Sequence, residues 1–112
     1  MTLNELIDFQ KEFDSRHEGN FKWDTKVSDE NLEFLEFLII ALMGEVGETA
    51  NIIKKILRGD FKLSEKKEDL EEEISDIFAY LLKLSYQMDI DIEGTYLKKM
   101  KINEERFKKY EK

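Results

Sequence analysis

No proline interrupts this chain of 112 residues, and only five glycines do. A turn-rich β fold needs both at its corners, whereas long helices keep them out of their interiors. The chain is therefore expected to be all-α, and the spacing of its apolar residues divides it into four helices. The first is read over Leu3–Ser15, with Leu3, Leu6, Ile7, Phe9 and Phe13 at roughly helical intervals. A polar stretch from His17 to Val27 follows and carries Gly19, Asn20 and the single tryptophan, Trp23. Ser28 is the expected N-cap of a second helix, with Asp29 and Glu30 in its first turn, where the helix dipole favours acids. That helix runs to Leu57 and ends at Arg58-Gly59, a basic last turn followed by a glycine suited to the left-handed cap position. Ser64 is expected to cap a third helix over Glu65–Met88, and Asp89 or Asp91 a fourth over Ile92–Tyr110. No repeat, low-complexity tract or linker divides the chain, so residues 1–112 read as one domain.

The second helix is apolar at nearly every position between Phe34 and Met43. A surface helix needs only one apolar stripe. In so short a chain, apolar character all round implies burial on both sides, by the rest of a four-helix bundle and by a partner subunit. A homodimer or a dimer of dimers (a homotetramer) is expected. The longest unbroken apolar run, Phe37 to Met43, is far too short to span a membrane. There is no cysteine, which excludes disulfides and thiolate metal sites. With an N-terminus that reads as an amphipathic helix and not as a signal sequence, the expectation is a cytoplasmic protein without a membrane partner.

Two pairs of carboxylates then stand out: Glu45 and Glu48 in "GEVGE", and Glu73 and Asp76 in "EEISD". Each pair is spaced i, i+3, so its members lie about 60° apart around a helix and one turn along it. Leu38, Leu42, Ile52 and Ile56 fall within about 60° of Glu45, and Ile77, Tyr80 and Leu84 within about 40° of Glu73. Several acids bordering one core would destabilise a bundle unless a cation compensates them. Four hard oxygen donors from two packed helices suit Mg²⁺, or Mn²⁺ in its place. The plain alternative pairs these acids with lysines such as Lys54, Lys55, Lys66 or Lys67. A di-iron centre would want Glu-x-x-His motifs, and the only histidine, His17, precedes the second helix in a loop. Gly44 and Gly47 each cost a helix about 1 kcal/mol against alanine, which points to a close neighbour, helix or ligand, on that face.

The net charge of −8 argues against a nucleic-acid partner, but it is unevenly placed. Residues 97–112 carry seven Lys/Arg against three Glu, a net +4 that leaves −12 for the rest. On the last helix Lys99, Asn103 and Arg106 lie within about 60° of one another, beside an apolar edge of Tyr96, Met100 and Phe107. A lysine, an amide and an arginine so placed can bind phosphate oxygens, the arginine bidentately.

Taken together, "LMGEVGETANIIKKI", "LEEEISDIFAYLLKLS", "MDIDIEG" and "KKMKINEERF" resemble the MazG-like family of all-α nucleoside triphosphate pyrophosphohydrolases. Relatives of that family include the all-α dUTP and dCTP pyrophosphatases. The resemblance covers Leu38 to Phe107 and rests on ExxE, then ExxD, then a Lys–Asn–Arg segment, in that order. It implies a MazG-like four-helix bundle and Mg²⁺-dependent hydrolysis of a nucleoside triphosphate to the monophosphate and pyrophosphate. Glu45, Glu48, Glu73 and Asp76 would be the metal ligands, and Lys99, Asn103 and Arg106 would hold the phosphates. Glu72, one residue before the motif glutamate, would be an outer base. Thr49-Ala50 stands where members of the family more often have Leu-Ala, a departure that leaves the acids untouched. The N-terminal half matches only in outline, so Trp23 and His17 are the residues proposed there for base contact. Two other readings remain at this point: a phosphoribosyl-ATP pyrophosphohydrolase, which shares the metal motif, and a non-catalytic helical module that binds a nucleotide or a protein.

Overall fold

The computed structural model describes residues 1–112 and contains four α-helices and no strand. Helix α1 spans Leu3–Ser15, α2 Leu32–Leu57, α3 Leu63–Gln87 and α4 Ile92–Arg106, followed by a single 3₁₀ turn, Lys108–Tyr110. None of them is long and apolar enough to cross a membrane.

The helix ends follow local chemistry. Thr2 and Glu5 form a reciprocal capping box at the start of α1, each side chain accepting from the other's backbone N–H at 3.2 Å. Gly59, at φ +94, takes the left-handed position that ends α2, and its N–H reaches back to the Ile56 carbonyl. Asp91, one of the two expected caps, closes the start of α4 by accepting from the Gly94 N–H at 3.1 Å. A Cβ at position 94 would run into that carboxylate, which explains a glycine three residues into a helix. Asp89 instead takes positive φ (55°) just beyond α3 and pairs with Lys26.

Two starts differ from the sequence expectation. Helix α2 begins at Leu32 and not beside Ser28, because Ser28 N–H donates to Asn31 Oδ1 while Asn31 Nδ2 donates to the Lys26 carbonyl. The side chains that could have capped an earlier start are used in a turn. Helix α3 starts at Leu63, ahead of Ser64, because Glu65 reaches back to the Lys62 N–H. At the other end of the chain, the fourth helix stops at Arg106 and passes into the 3₁₀ turn that ends at Tyr110.

Helices α2 and α3, joined by the short Arg58–Lys62 connection, pack along their lengths, and α1 lies on α3. Phe34 and Leu38 of α2 and Leu82 and Tyr86 of α3 are the buried apolar core. Helix α4 buries no residue and makes no extended contact with the other three. Within one chain, three helices form the packed body and the fourth stands off. Only eight of 112 residues are buried, and the radius of gyration is 17.3 Å, against about 13 Å for a compact chain of this length. Ile40, Met43, Leu57, Ile74, Tyr96 and Leu97 are all more than half exposed. The close neighbour expected at Gly44 and Gly47 is not supplied by this chain, since a Cβ at either would meet nothing within 4 Å.

Candidate active site

The antiparallel packing of α2 on α3 sets "GEVGE" against "EEISD". One carboxylate oxygen from each of Glu45, Glu73 and Asp76 lies within 4.8 Å of the other two. Glu48 stands outside that triangle but borders Glu73 closely enough to raise its pKa. Glu45 and Glu73 are half-buried, whereas Glu48 and Asp76 are exposed. The 60° offset of an i, i+3 pair therefore splits each pair between the inner and outer edge of the groove.

The electrostatics are those of acids crowded without a counter-charge. Burial raises the pKa of Glu45, with the charges of Glu48 and Asp76 adding to it and the hydrogen bond from Glu73 opposing it. Glu73 is pushed up to about 7, first by its hydrogen bond to Glu48, then by burial and by Glu45. Without a counter-charge, the crowded acids thus hold on to a proton more readily than free carboxylates do. Oxygen Oε2 of Glu45 and Oε2 of Glu73 are buried and have no hydrogen-bond partner. The protein's ion pairs are Arg16–Glu12, Lys26–Asp89, Arg58–Asp60, Lys66–Asp69 and Lys83–Asp14. None touches the four acids, so pairing with Lys54, Lys55, Lys66 or Lys67 does not account for them.

The other residues singled out in the sequence are spread more widely. Glu72 is exposed and shares a shallow groove with Asp76, Glu68, Glu71 and Ser75, on the solvent side of α3. Lys99, Asn103 and Arg106 lie on α4, which does not pack on α2 or α3, so one chain does not bring them onto the carboxylates. The Arg106 guanidinium sits over the Phe107 ring, 4.9 Å from its centroid. Trp23 lines a cavity of about 350 Å³ that also reaches Glu45 and Asp76. Its ring stacks on His17 (4.9 Å between centroids), which in turn stacks on Phe13 (4.3 Å). Phe21 meets Phe34 and Phe37 edge-on elsewhere in the lining.

Several residues around this cavity were missed by sequence reasoning. Asp14, 1% exposed, accepts from Gln10 Nε2 at 3.0 Å, from the Tyr86 hydroxyl at 2.5 Å and from Lys83 Nζ at 2.9 Å. Burial and the bond to Asp14 push the Tyr86 phenol far up, so it remains a donor. Gln87, fully buried, donates through Nε2 to the carbonyls of Trp23 (2.7 Å) and Thr25 (3.0 Å), and its backbone carbonyl accepts from the Val27 N–H. It thereby pins the irregular Trp23 segment to the end of α3. Tyr80 lines the cavity between its two ends, its phenol pushed up by burial and then by Glu45, Asp76 and Asp14. The available signal was polar residues on apolar stripes: Gln10 and Asp14 continue the Leu3, Ile7 line on α1, and Lys83 and Gln87 continue the Asp76, Tyr80 line on α3.

Comparison with known proteins matches most of the chain to a described domain. The sequence model of the MazG nucleotide pyrophosphohydrolase domain matches residues 35–109. The Gene 37 protein of Mycobacterium phage L5 is 36% identical over 63 residues, 54% of this chain and 55% of that protein. Human dCTP pyrophosphatase 1 is 34% identical over 74 residues, 62% of this chain and 44% of that protein. The chain thus spans about half the length of these relatives. No solved structure matches.

Proposed function

Because the chain belongs to the MazG nucleotide pyrophosphohydrolase family, we propose that it hydrolyses a nucleoside triphosphate, ribo or deoxy, to the monophosphate and pyrophosphate. The observation that carries this reading is the pair of buried, partnerless oxygens, Glu45 Oε2 and Glu73 Oε2, facing a third carboxylate, Asp76. Such oxygens lose their hydration without recovering it from the protein, and a hard divalent cation restores it. The donor set fits Mg²⁺ or Mn²⁺, held by Glu45, Glu48, Glu73 and Asp76. Bound there, the ion would supply Lewis acidity and neutralise charge on the departing pyrophosphate.

The chain's own residues do the rest. Asp76 and Glu72 border the same outer groove, where Glu72 takes the proton of the attacking water. The cavity that runs from Glu45 and Asp76 to Trp23 receives the nucleoside. That human dCTP pyrophosphatase 1 is among the relatives supports a nucleotide substrate.

Lys99, Asn103 and Arg106 hold the phosphates, and they reach the acids from a second copy of the chain. What supports this is the detached, basic α4 and the apolar surface left uncovered on α2 and α4. An acidic body and a basic arm of the same chain are complementary across a homodimer or a dimer of dimers. The deciding experiment is pyrophosphate release from a panel of nucleoside triphosphates with Mg²⁺ or Mn²⁺ against EDTA. Release that depends on the ion supports the reading, and silence across the panel overturns it.

A further inference from the structure

The end of the cavity remote from the carboxylates is polar in a way that packing alone does not require. Asp76, Tyr80 and Lys83 line the cavity along one stripe of α3, with Lys83 at the end away from the carboxylates. Seven residues at 1.5 Å each set Lys83 about 10 Å along the axis from Asp76, comparable with the reach of a nucleotide from its 5′ phosphorus to its base edge. Trp23 and Phe13 supply flat apolar surface beside Lys83, whose Nζ lies 5.7 Å from the Trp23 ring centroid.

Asp14 sets the orientation of what faces this space. A carboxylate only accepts, so the amide of Gln10 must turn its NH₂ group to Asp14 Oδ1, leaving its carbonyl oxygen as the free acceptor. Lys83 gives one proton to Asp14 Oδ2 and has others to donate, but nothing with which to accept. Tyr86 completes the set from outside the cavity and fixes Asp14 itself. Gln10, Asp14 and Lys83 all line the cavity: the Asp14 carboxylate is sealed behind the other two, while Lys83 and the half-buried Gln10 border the open space.

We propose that Gln10 and Lys83 are the specificity-determining residues of the nucleotide cavity. Lys83 donates to a carbonyl oxygen or ring nitrogen on the base edge, and the Gln10 carbonyl accepts from the N–H beside it. Asp14 is the positioning residue that holds both. This rests on the nucleotide reading above and deepens it, by assigning recognition of the base to a carboxylate-held donor–acceptor pair and not to stacking alone.

The single tryptophan gives a test that involves neither metal nor turnover. Trp23 fluorescence of the full chain is titrated in EDTA with the 5′-monophosphates of cytidine, uridine, adenosine and guanosine, and with ribose 5-phosphate. At least one nucleotide is expected to change the emission saturably, and ribose 5-phosphate to leave it unchanged. Lys83→Met is expected to weaken the best nucleotide about 10- to 100-fold, the range for loss of a charge-assisted hydrogen bond, while Lys83→Arg keeps most of the affinity. Gln10→Leu, on the half-exposed wall, is expected to change the ranking of the four bases even if Lys83→Met proves unfolded by circular dichroism. Equal response to ribose 5-phosphate, no response to any nucleotide, or folded variants with unaltered affinity and ranking would each overturn the proposal. Base binding without hydrolysis would leave it standing while the hydrolase reading fails, and intact pyrophosphate release with no base discrimination would do the reverse.

Discussion

Lys83 Nζ and Asp14 Oδ2 meet at 2.9 Å with both side chains almost wholly removed from water, tying α3 to α1 along the wall of the cavity. Removing one member of such a pair leaves a charge without compensation. Asp14→Leu is expected to destabilise the protein by about 3–5 kcal/mol, and Asp14→Leu/Lys83→Met to recover much of that loss. Chemical denaturation of the two variants checks it, and a double variant no more stable than Asp14→Leu would show that an unpaired Lys83 costs the fold nothing.

Glu48→Gln and Asp76→Asn are expected to abolish pyrophosphate release while circular dichroism stays helical, as is EDTA on the unmodified protein. Removing a metal ligand takes out transition-state charge stabilisation, so a loss of at least about 100-fold is the expected scale. Turnover retained in either variant would remove that residue from the ligand set.

Glu73→Gln should separate stability from activity. It removes a crowded acid, so the metal-free protein is expected to melt at a higher temperature than the unmodified one, with hydrolysis lost. Thermal melts in EDTA beside activity in Mg²⁺ provide the comparison. A lower melting temperature would mean that Glu73 contributes to folding and not only to the site.

The same residue sets a pH dependence. Its folded pKa of about 7 lies above the ordinary 4.5, so between those values the folded chain holds a proton that the unfolded chain has released. Stability of the metal-free protein should therefore fall as pH rises from about 5 to 7.5. Glu73→Gln should flatten that fall, and Mg²⁺, which favours the ionised acids, should offset it. Melting temperature against pH, in EDTA and in Mg²⁺, measures both.

Assembly can be read through complementation. Arg106→Ala is expected to raise KM for the triphosphate about tenfold or more, through the lost bidentate contact. Mixing inactive Glu48→Gln with Arg106→Ala at low substrate should restore activity above either alone, because one site of a mixed pair then holds both native residues. No gain after subunit exchange, confirmed by light scattering, would place the two residues on the same chain's site or apart altogether.

The helices and the acids were legible because both signals are periodic. The spacing that put Glu45, Glu48, Glu73 and Asp76 beside apolar stripes is a property of any helix, and α2 and α3 had only to pack for the acids to meet. The start of α2 was not legible, because Asn31 and Ser28 hydrogen-bond equally well within a turn or to a helix end. Nor was the detachment of α4, whose edge of Tyr96, Met100 and Phe107 reads the same whether it covers its own chain or another. Asp14 and Lys83 were passed over for a different reason. One polar residue on an apolar stripe carries no information until the helix opposite is known to bear its complement.

The body's sparse interior has a consequence for control. A chain that shelters eight side chains on its own and leaves large apolar residues in water would, in the homo-oligomer proposed above, gain much of its order from the partner copy. Dilution should then loosen the protein and silence it together, so that turnover per molecule climbs with abundance and the amount made becomes a throttle on the reaction.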